Sequence, residues 1–256
     1  MKTVLITGST SGIGLGIAKE FAKTKQYNIV FNGLESNGPE IAAAIGQEFG
    51  IEVMFHGANM LKPEELRNMV AQAISKFGKI DVLVNNAGIQ HVSGIEDFPD
   101  EKWEAIIGIN LSSAFYLSKA VWPQMKNNKF GRIINIAYAH GLVASEFKSA
   151  YVASKHGIVG FTKTLALEGA PYNITCNAIC PGYVKTPLVE KQIADQAKVH
   201  NLSEEEVVSK VMLVKQAVKE FVSVETLGKM ALLLSDETSS TITGTALPVD
   251  GGWNAQ

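Results

Sequence analysis

Cysteine is nearly absent: the 256 residues include two, Cys176 and Cys180. Both fall in one apolar, strand-like run, at a spacing that puts them on the same side of a strand. Two buried free thiols are expected there rather than a bridge, so disulfides do not hold this fold together. Excess charge is missing too. The 23 Lys and Arg residues nearly balance 25 Asp and Glu, for a net charge of −2, which leaves no basic field for nucleic acid. No apolar run approaches the length needed to cross a bilayer, so no membrane association is expected. MKTVLITG enters a strand directly, without the apolar core and cleavage site of a secretory leader, and a cytoplasmic location is expected. His56, His91, His156 and His200 have no acidic or thiol partners at metal-ligand spacing, and no metal is expected. Repeats, low-complexity tracts and linkers are likewise lacking, so one domain over residues 1–256 is expected.

What the chain has is alternation. Short apolar runs at Val4–Ile6, Ile29–Phe31, Val53–Phe55, Val82–Val84, Ile133–Ile136, Ile174–Ile179 and Ala246–Val249 read as strands. Between them lie helical patterns over Ile13–Lys23, Glu40–Phe49, Pro63–Phe77, Lys102–Met125, Ser149–Glu168 and Val224–Leu234. Pro63 suits a first helical turn. Apolar strands separated by helices indicate a parallel sheet covered on both faces. Right-handed crossovers then give an α/β, doubly wound, Rossmann-type domain with a seven-stranded parallel sheet. The stretch 187–221 breaks the rhythm, being helical and charged and contributing no strand. An insertion there lies beyond the carboxyl end of a strand, where such sheets bind ligands, and is expected to be a helical substrate lid. A pair of surface helices is the plainer alternative.

Two motifs carry chemistry. The run TGSTSGIG, Thr7 to Gly14, follows the first strand and opens the first helix. Gly8 permits the tight turn, Gly12 lets backbone approach a pyrophosphate, and Gly14 allows close helix–strand packing. An ordinary glycine-rich turn is the alternative. At the end of the second strand, Val30 to Leu34 offers neither an acid for a ribose 2′-hydroxyl nor an arginine for a 2′-phosphate, and Ser9, Thr10 and Ser11 are neutral. NAD is therefore expected over NADP. The second motif is Tyr151 and Lys155, one helical turn apart. A phenol titrates at about 10, and an adjacent ammonium favours the phenolate. The pair suits a proton donor working near neutral pH, and with the phosphate turn it predicts hydride transfer between a nicotinamide and a carbonyl.

Together with the run Asn85-Asn86-Ala87-Gly88, with Asn110, and with Pro181-Gly182 and Thr186, these motifs resemble the short-chain dehydrogenase/reductase family across nearly the whole chain. Within it, GIQH at 88–91, AHGLVAS at 139–145, Lys148, TPLVEKQ at 186–192 and DGGW at 250–253 resemble the bacterial branch that oxidises (R)-3-hydroxybutyrate to acetoacetate. The resemblance implies that Gly8, Thr10, Gly12, Ile13 and Gly14 cradle the NAD pyrophosphate. It places Asn32 and Asn59 by the adenosine, and Asn86, Ala87 and Gly88 along the riboses. Pro181, Gly182, Val184 and Thr186 would hold the nicotinamide end, Thr186 by its carboxamide. Tyr151 would be the general acid/base. Lys155 would hold ribose hydroxyls and acidify Tyr151, and Asn110 would anchor a water leading from Lys155 to solvent. Gln90, His140, Lys148 and Gln192 would bind the substrate carboxylate, with Tyr183 and Trp253 as apolar walls. That set suits a small 3-hydroxy or 3-keto acid, since a carboxylate calls for cationic or amide donors. A solvated loop lysine and a backbone-bonded histidine are the plainer alternatives for Lys148 and His140. A homotetramer built on the Lys102–Met125 and Ser149–Glu168 helices and the C-terminal segment is also implied.

Two positions depart from the family pattern. Tyr138 stands where the family has a serine, thirteen residues before the catalytic tyrosine. Its hydroxyl lies a ring further from the backbone, and the ring is expected to intrude on the space of a four-carbon acid at the edge of a cavity. A crippled enzyme, an altered substrate range, or a cofactor-binding protein without turnover follows; a reductase of another β-keto substrate is the further alternative. Asn59 replaces an aspartate beside the adenine, and an amide can still pair there.

Overall fold

The computed structural model describes residues 1–186, 189–190, 193, 197 and 202–255. Among these, β1 (Lys2–Ile6), β2 (Tyr27–Asn32), β3 (Val53–His56), β4 (Val82–Asn85), β5 (Gly131–Ile136), β6 (Ile174–Pro181) and β7 (Ala246–Val249) form one 7-stranded sheet. Its order is 3-2-1-4-5-6-7, and every pairing is parallel. The helices are α1 (Gly12–Lys23), α2 (Gly38–Phe49), α3 (Pro63–Phe77), α4 (Asp100–Ile107), α5 (Ser113–Asn128), α6 (Ser149–Gly169), α7 (Glu204–Val207) and α8 (Val224–Ser235). The strand order reverses between β1 and β4, so connections leave these neighbours in opposite directions and open a crevice at their carboxyl ends.

Alternation along each strand splits the core into two layers. Val4 and Ile6 of β1 join Ile17 and Phe21 of α1 and Leu227 and Leu234 of α8 on one face. Leu5 points the other way, to Leu66 and Met69 of α3 and Leu117 and Val121 of α5. These side chains are fully buried, and burying each stabilises the fold by about 1.5–3 kcal/mol. Cys176 and Cys180 are buried free thiols in this interior, as expected. No helix among the described residues is long and apolar enough to cross a membrane.

The helix expected over Lys102–Met125 is not continuous. A π turn at Gly108–Ser112 separates α4 from α5. Helical periodicity carries no mark of the extra residue, and such turns gather at functional sites. Here the turn carries Asn110, whose side chain bonds both polar groups of the Ile89 backbone. That tertiary bond accompanies the loss of the regular ladder.

Much of the predicted lid, including Gln192, lies outside the described residues. The part that is described is helical in α7, which begins with a capping box between Ser203 and Glu206. Val207, Met212, Leu213 and Ile193 form a small apolar cluster, with Tyr183 and Phe221 packed against it. This segment therefore buries its own apolar face beside β6.

A buried polar chain fixes α6 on the sheet. Asn85 of β4 donates to Asn135 of β5 (2.8 Å), which donates to Thr162 of α6 (2.8 Å). Asn135→Ala would orphan the Asn85 amide in the interior and take one of the two bonds of the Thr162 hydroxyl, which keeps its bond to the Ile158 carbonyl. The substitution should lower unfolding stability by roughly 3 kcal/mol, read as an earlier urea midpoint at unchanged slope.

Candidate active site

The chain leaves β1 in a turn that passes close under α1. Gly8 and Gly12 have φ of +59° and +51°, the left-handed region that favours glycine. At Gly14 space is the constraint, because a Cβ would sit 2.2 Å from the Gly8 carbonyl oxygen. Asn86 donates to the carbonyls of Thr7 (2.8 Å) and Gly8 (3.0 Å). In return the Thr7 hydroxyl accepts from the N–H groups of Asn86 (2.9 Å) and Ala87 (3.0 Å). The cradle opens onto a cleft of about 450 Å³ whose lining includes Gly12, Ile13, Asn59, Ala87, Gly88 and Thr186. A glycine-flanked turn at a helix N-terminus, at the sheet's switch point, fits the pyrophosphate of a dinucleotide.

At the adenosine end two residues behave differently from expectation. Asn32 is buried and engaged at every polar atom: it donates to the His56 and Ala58 carbonyls, both at 3.0 Å, and accepts from the Gly8 N–H at 3.2 Å. It braces the turn while its edge borders the cleft. The acid that seemed missing is Glu35, one residue beyond the stretch read from the sequence. Glu35 lines the cleft and accepts from the Thr10 hydroxyl, and that bond holds its carboxyl below the ordinary range. Gly33 makes the contact possible, since a Cβ there would lie 2.3 Å from Thr10 Oγ1. Asn59 reaches the cleft with its Oδ1 accepting from the Leu61 N–H at 2.9 Å.

At the other end, α6 presents Tyr151 and Lys155 beneath the carboxyl end of β5. Lys155 is buried, and its Nζ donates to the Ile136 carbonyl at 2.7 Å. Burial of the ammonium lowers Lys155 to about 8. In this arrangement burial, rather than Lys155, sets the direction for Tyr151. Nζ stands 5.6 Å from the Tyr151 ring centroid, and burial, with Tyr138 alongside, pushes the phenol well above its usual 10. The Asn110 amide is engaged by the Ile89 backbone and, at 3.3 Å, by the Ser154 hydroxyl. The Gly182 N–H, just past Pro181, donates to Val249 at 3.0 Å, and buried Val184 bridges to Val222.

Tyr138 sits at φ 58°, ψ 166°, a region essentially reserved for glycine that costs a side chain about 1–3 kcal/mol. Its ring packs against the layer formed by β1 and α1 and lines the dinucleotide cleft. The residue thus borders that cleft, while its ring also stands with its centroid 5.3 Å from Lys155 Nζ. Its centroid is 6.1 Å from that of Tyr151, and burial pushes its own phenol up to about 12.

Beyond Tyr151 the aromatic wall continues. His140 meets Tyr151 edge-on at 5.5 Å and Trp253 at 5.3 Å, and Trp253 stacks on Tyr183 at 5.9 Å with planes 7° apart. His140 Nε2 bonds the Ser145 hydroxyl at 3.1 Å. Burial, with Lys148 and Lys215 nearby, lowers His140 to about 4, so it is neutral at physiological pH. Lys148 and Tyr183 line one cavity together with Ser145 and Lys215. Lys215 carried no sequence signal, since only the fold brings it to Lys148. Gln90 is exposed in the loop after β4 and is not among the described residues of that cavity. Among the described residues, no cluster of metal-ligating side chains occurs.

Comparison with known proteins decides the family. The model of the short chain dehydrogenase family matches residues 2–197. The chain is a short-chain dehydrogenase. It is 53% identical to D-beta-hydroxybutyrate dehydrogenase of Rhizobium meliloti, covering 100% of this chain and 99% of that protein. It is also 53% identical to the enzyme of the same name from Cupriavidus necator, over 100% and 98% of the two chains. A crystal structure of a variant actinorhodin polyketide ketoreductase with NADPH superposes with a TM-score of 0.91 at 31% identity, covering 100% of this chain and 98% of that one.

In this dehydrogenase the His140 environment has a measurable cost. Its folded value of about 4 lies below the ordinary 6.5. Between these values the unfolded chain binds the extra proton, so stability is full above pH 6.5 and is lost as pH falls toward 4. His140→Asn should remove up to about 3 kcal/mol of that pH dependence, seen as a shallower fall in melting temperature between pH 6.5 and 4.

Proposed function

We propose that this short-chain dehydrogenase interconverts (R)-3-hydroxybutyrate and acetoacetate with NAD, and that Tyr138 depresses its turnover. The observation that carries the reading is one continuous wall: Tyr151, neutral His140, and a lysine-lined cavity for a carboxylate. Full-length identity of 53% to two D-beta-hydroxybutyrate dehydrogenases supports it. The glycine cradle and the cleft lined by Ala87, Gly88 and Thr186 would hold the dinucleotide, which when bound supplies or accepts the hydride. In reduction Tyr151 gives its phenolic proton to the oxygen that was the ketone; in oxidation the phenolate takes it back. Lys155, already buried beneath the site, provides the positive charge that phenolate needs.

NAD is favoured on charge. Glu35 sets a carboxylate into the adenosine end of the cleft, and Lys and Arg are absent from the described residues lining it. A 2′-phosphate would meet repulsion without compensation. Glu35→Gln should narrow the preference for NAD over NADP by roughly tenfold in kcat/KM, and an unchanged ratio would remove Glu35 from cofactor choice.

The serine expected at position 138 would donate to the substrate oxygen, and deleting such a donor costs on the order of 10²–10³ in turnover. The ring's place in the cleft adds a steric burden on the cofactor. Tyr138→Ser should therefore raise 3-hydroxybutyrate oxidation by at least about a hundredfold. It should also move the rising, acid-side limb of the kcat profile for oxidation to lower pH, because Tyr138 is one of the groups raising Tyr151. Adding Tyr151→Phe to that variant should abolish the gain. Retained oxidation in the double variant would rule out Tyr151 as the acid/base, and NAD binding without any recovery would favour a cofactor-binding protein.

Assembly as a cytoplasmic homotetramer belongs to the same reading. Phe115 on α5 and Leu167 on α6 are exposed apolar residues on the helices expected to pair.

A further inference from the structure

We propose that Lys215 is a second carboxylate-binding cation of the substrate site, acting with Lys148. The inference rests on the hydroxybutyrate reading and adds to it a residue from a different part of the chain. Lys148 immediately precedes α6, whereas Lys215 lies between α7 and α8; both line the same cavity, with Ser145 and Tyr183. Lys215 Nζ stands 5.6 Å from the Trp253 ring centroid, within cation–π range. Trp253 touches His140, and His140 touches Tyr151. A single file of rings thus leads from Lys215 to the reacting phenol.

A short 3-oxo acid with its ketone at Tyr151 must extend its carboxylate along this wall. His140, neutral and already bonded to Ser145, offers that carboxylate no charge. The charge must come from the lysines. Their mutual repulsion is visible in Lys148, which burial and then Lys215 draw below the ordinary lysine range. An anion between them relieves that repulsion and makes charge-assisted hydrogen bonds to both. Glu146 also lines the cavity, but it is exposed to solvent, where its field is screened. Because the lysines belong to separate elements, a bound carboxylate would tie the loop before α6 to the segment after β6.

The test uses the whole protein carrying Tyr138→Ser, which gives measurable turnover, with Lys215→Met, Lys215→Arg or neither. Lys215→Met should raise KM for acetoacetate about tenfold while kcat stays within about twofold. Methyl acetoacetate, which has no charge, should show no comparable rise, and Lys215→Arg should recover most of the loss. Equal KM changes for acid and ester, or none for the acid, overturn the assignment and leave Lys215 as a cover for Trp253. Calorimetric titration of acetoacetate into the NADH-saturated proteins follows the same comparison without turnover. If acetoacetate neither binds nor reacts with Lys215 in place, the hydroxybutyrate reading falls and this inference falls with it.

Discussion

Four hydrogen bonds between the ends of β1 and β4 govern what the rest of the molecule can do. Asn86 gives both amide hydrogens to the Thr7 and Gly8 carbonyls, and the Thr7 hydroxyl takes two N–H groups in return. The sheet reverses its winding at this seam, so the crevice on which a dinucleotide would lie is opened and braced at once. Close approach of α1 follows, since the same turn must pass under Gly14 with no room for a methyl group. An asparagine whose sequence context suggested ligand contact is here chiefly part of the frame. Asn32 and Asn110 repeat that pattern at the two other corners of the cleft.

The site that grows from this frame sets uncharged phenols and a neutral imidazole around the buried Lys155, with further charge at its ends. Burial opposes charge on Tyr138, Tyr151, His140 and Lys155 alike, raising the phenols and lowering the bases. Further charge stands at the two ends: Glu35 beside Thr10 in the cleft, Lys148 and Lys215 at the far cavity. Under the function proposed, such a layout would orient cofactor and acid before a proton moves and keep water competition low there.

Strands, their order of appearance and the two chemical motifs could be read from the chain because each is local. Val4 to Ile6 announces a strand by composition, and Tyr151 and Lys155 share a helical face by spacing alone. What escaped reading depends on distant partners. The π turn exists with the Asn110–Ile89 bond and leaves no periodic trace. Glu35 became visible as a cleft residue only when Gly33 was seen to admit its link to Thr10, and Lys215 only when the fold set it beside Trp253. Tyr138 was legible as an anomaly, but the direction of its ring was not, because that is fixed by an unusual φ and ψ rather than by residue type.

The widened turn at Gly108–Ser112 has a bearing on how this chain can change in length. One surplus residue is accommodated there within an otherwise continuous rod from Asp100 to Asn128. Excising a single residue there would let the rod close into regular spirals with both flanks keeping their faces, whereas an excision elsewhere in the rod would swing everything upstream through about 100° relative to α5. What would be lost is the grip of Asn110 on Ile89. A region that looks like slack is thus the most tolerant place in that rod for a change of length, at the expense of its tie to the loop after β4.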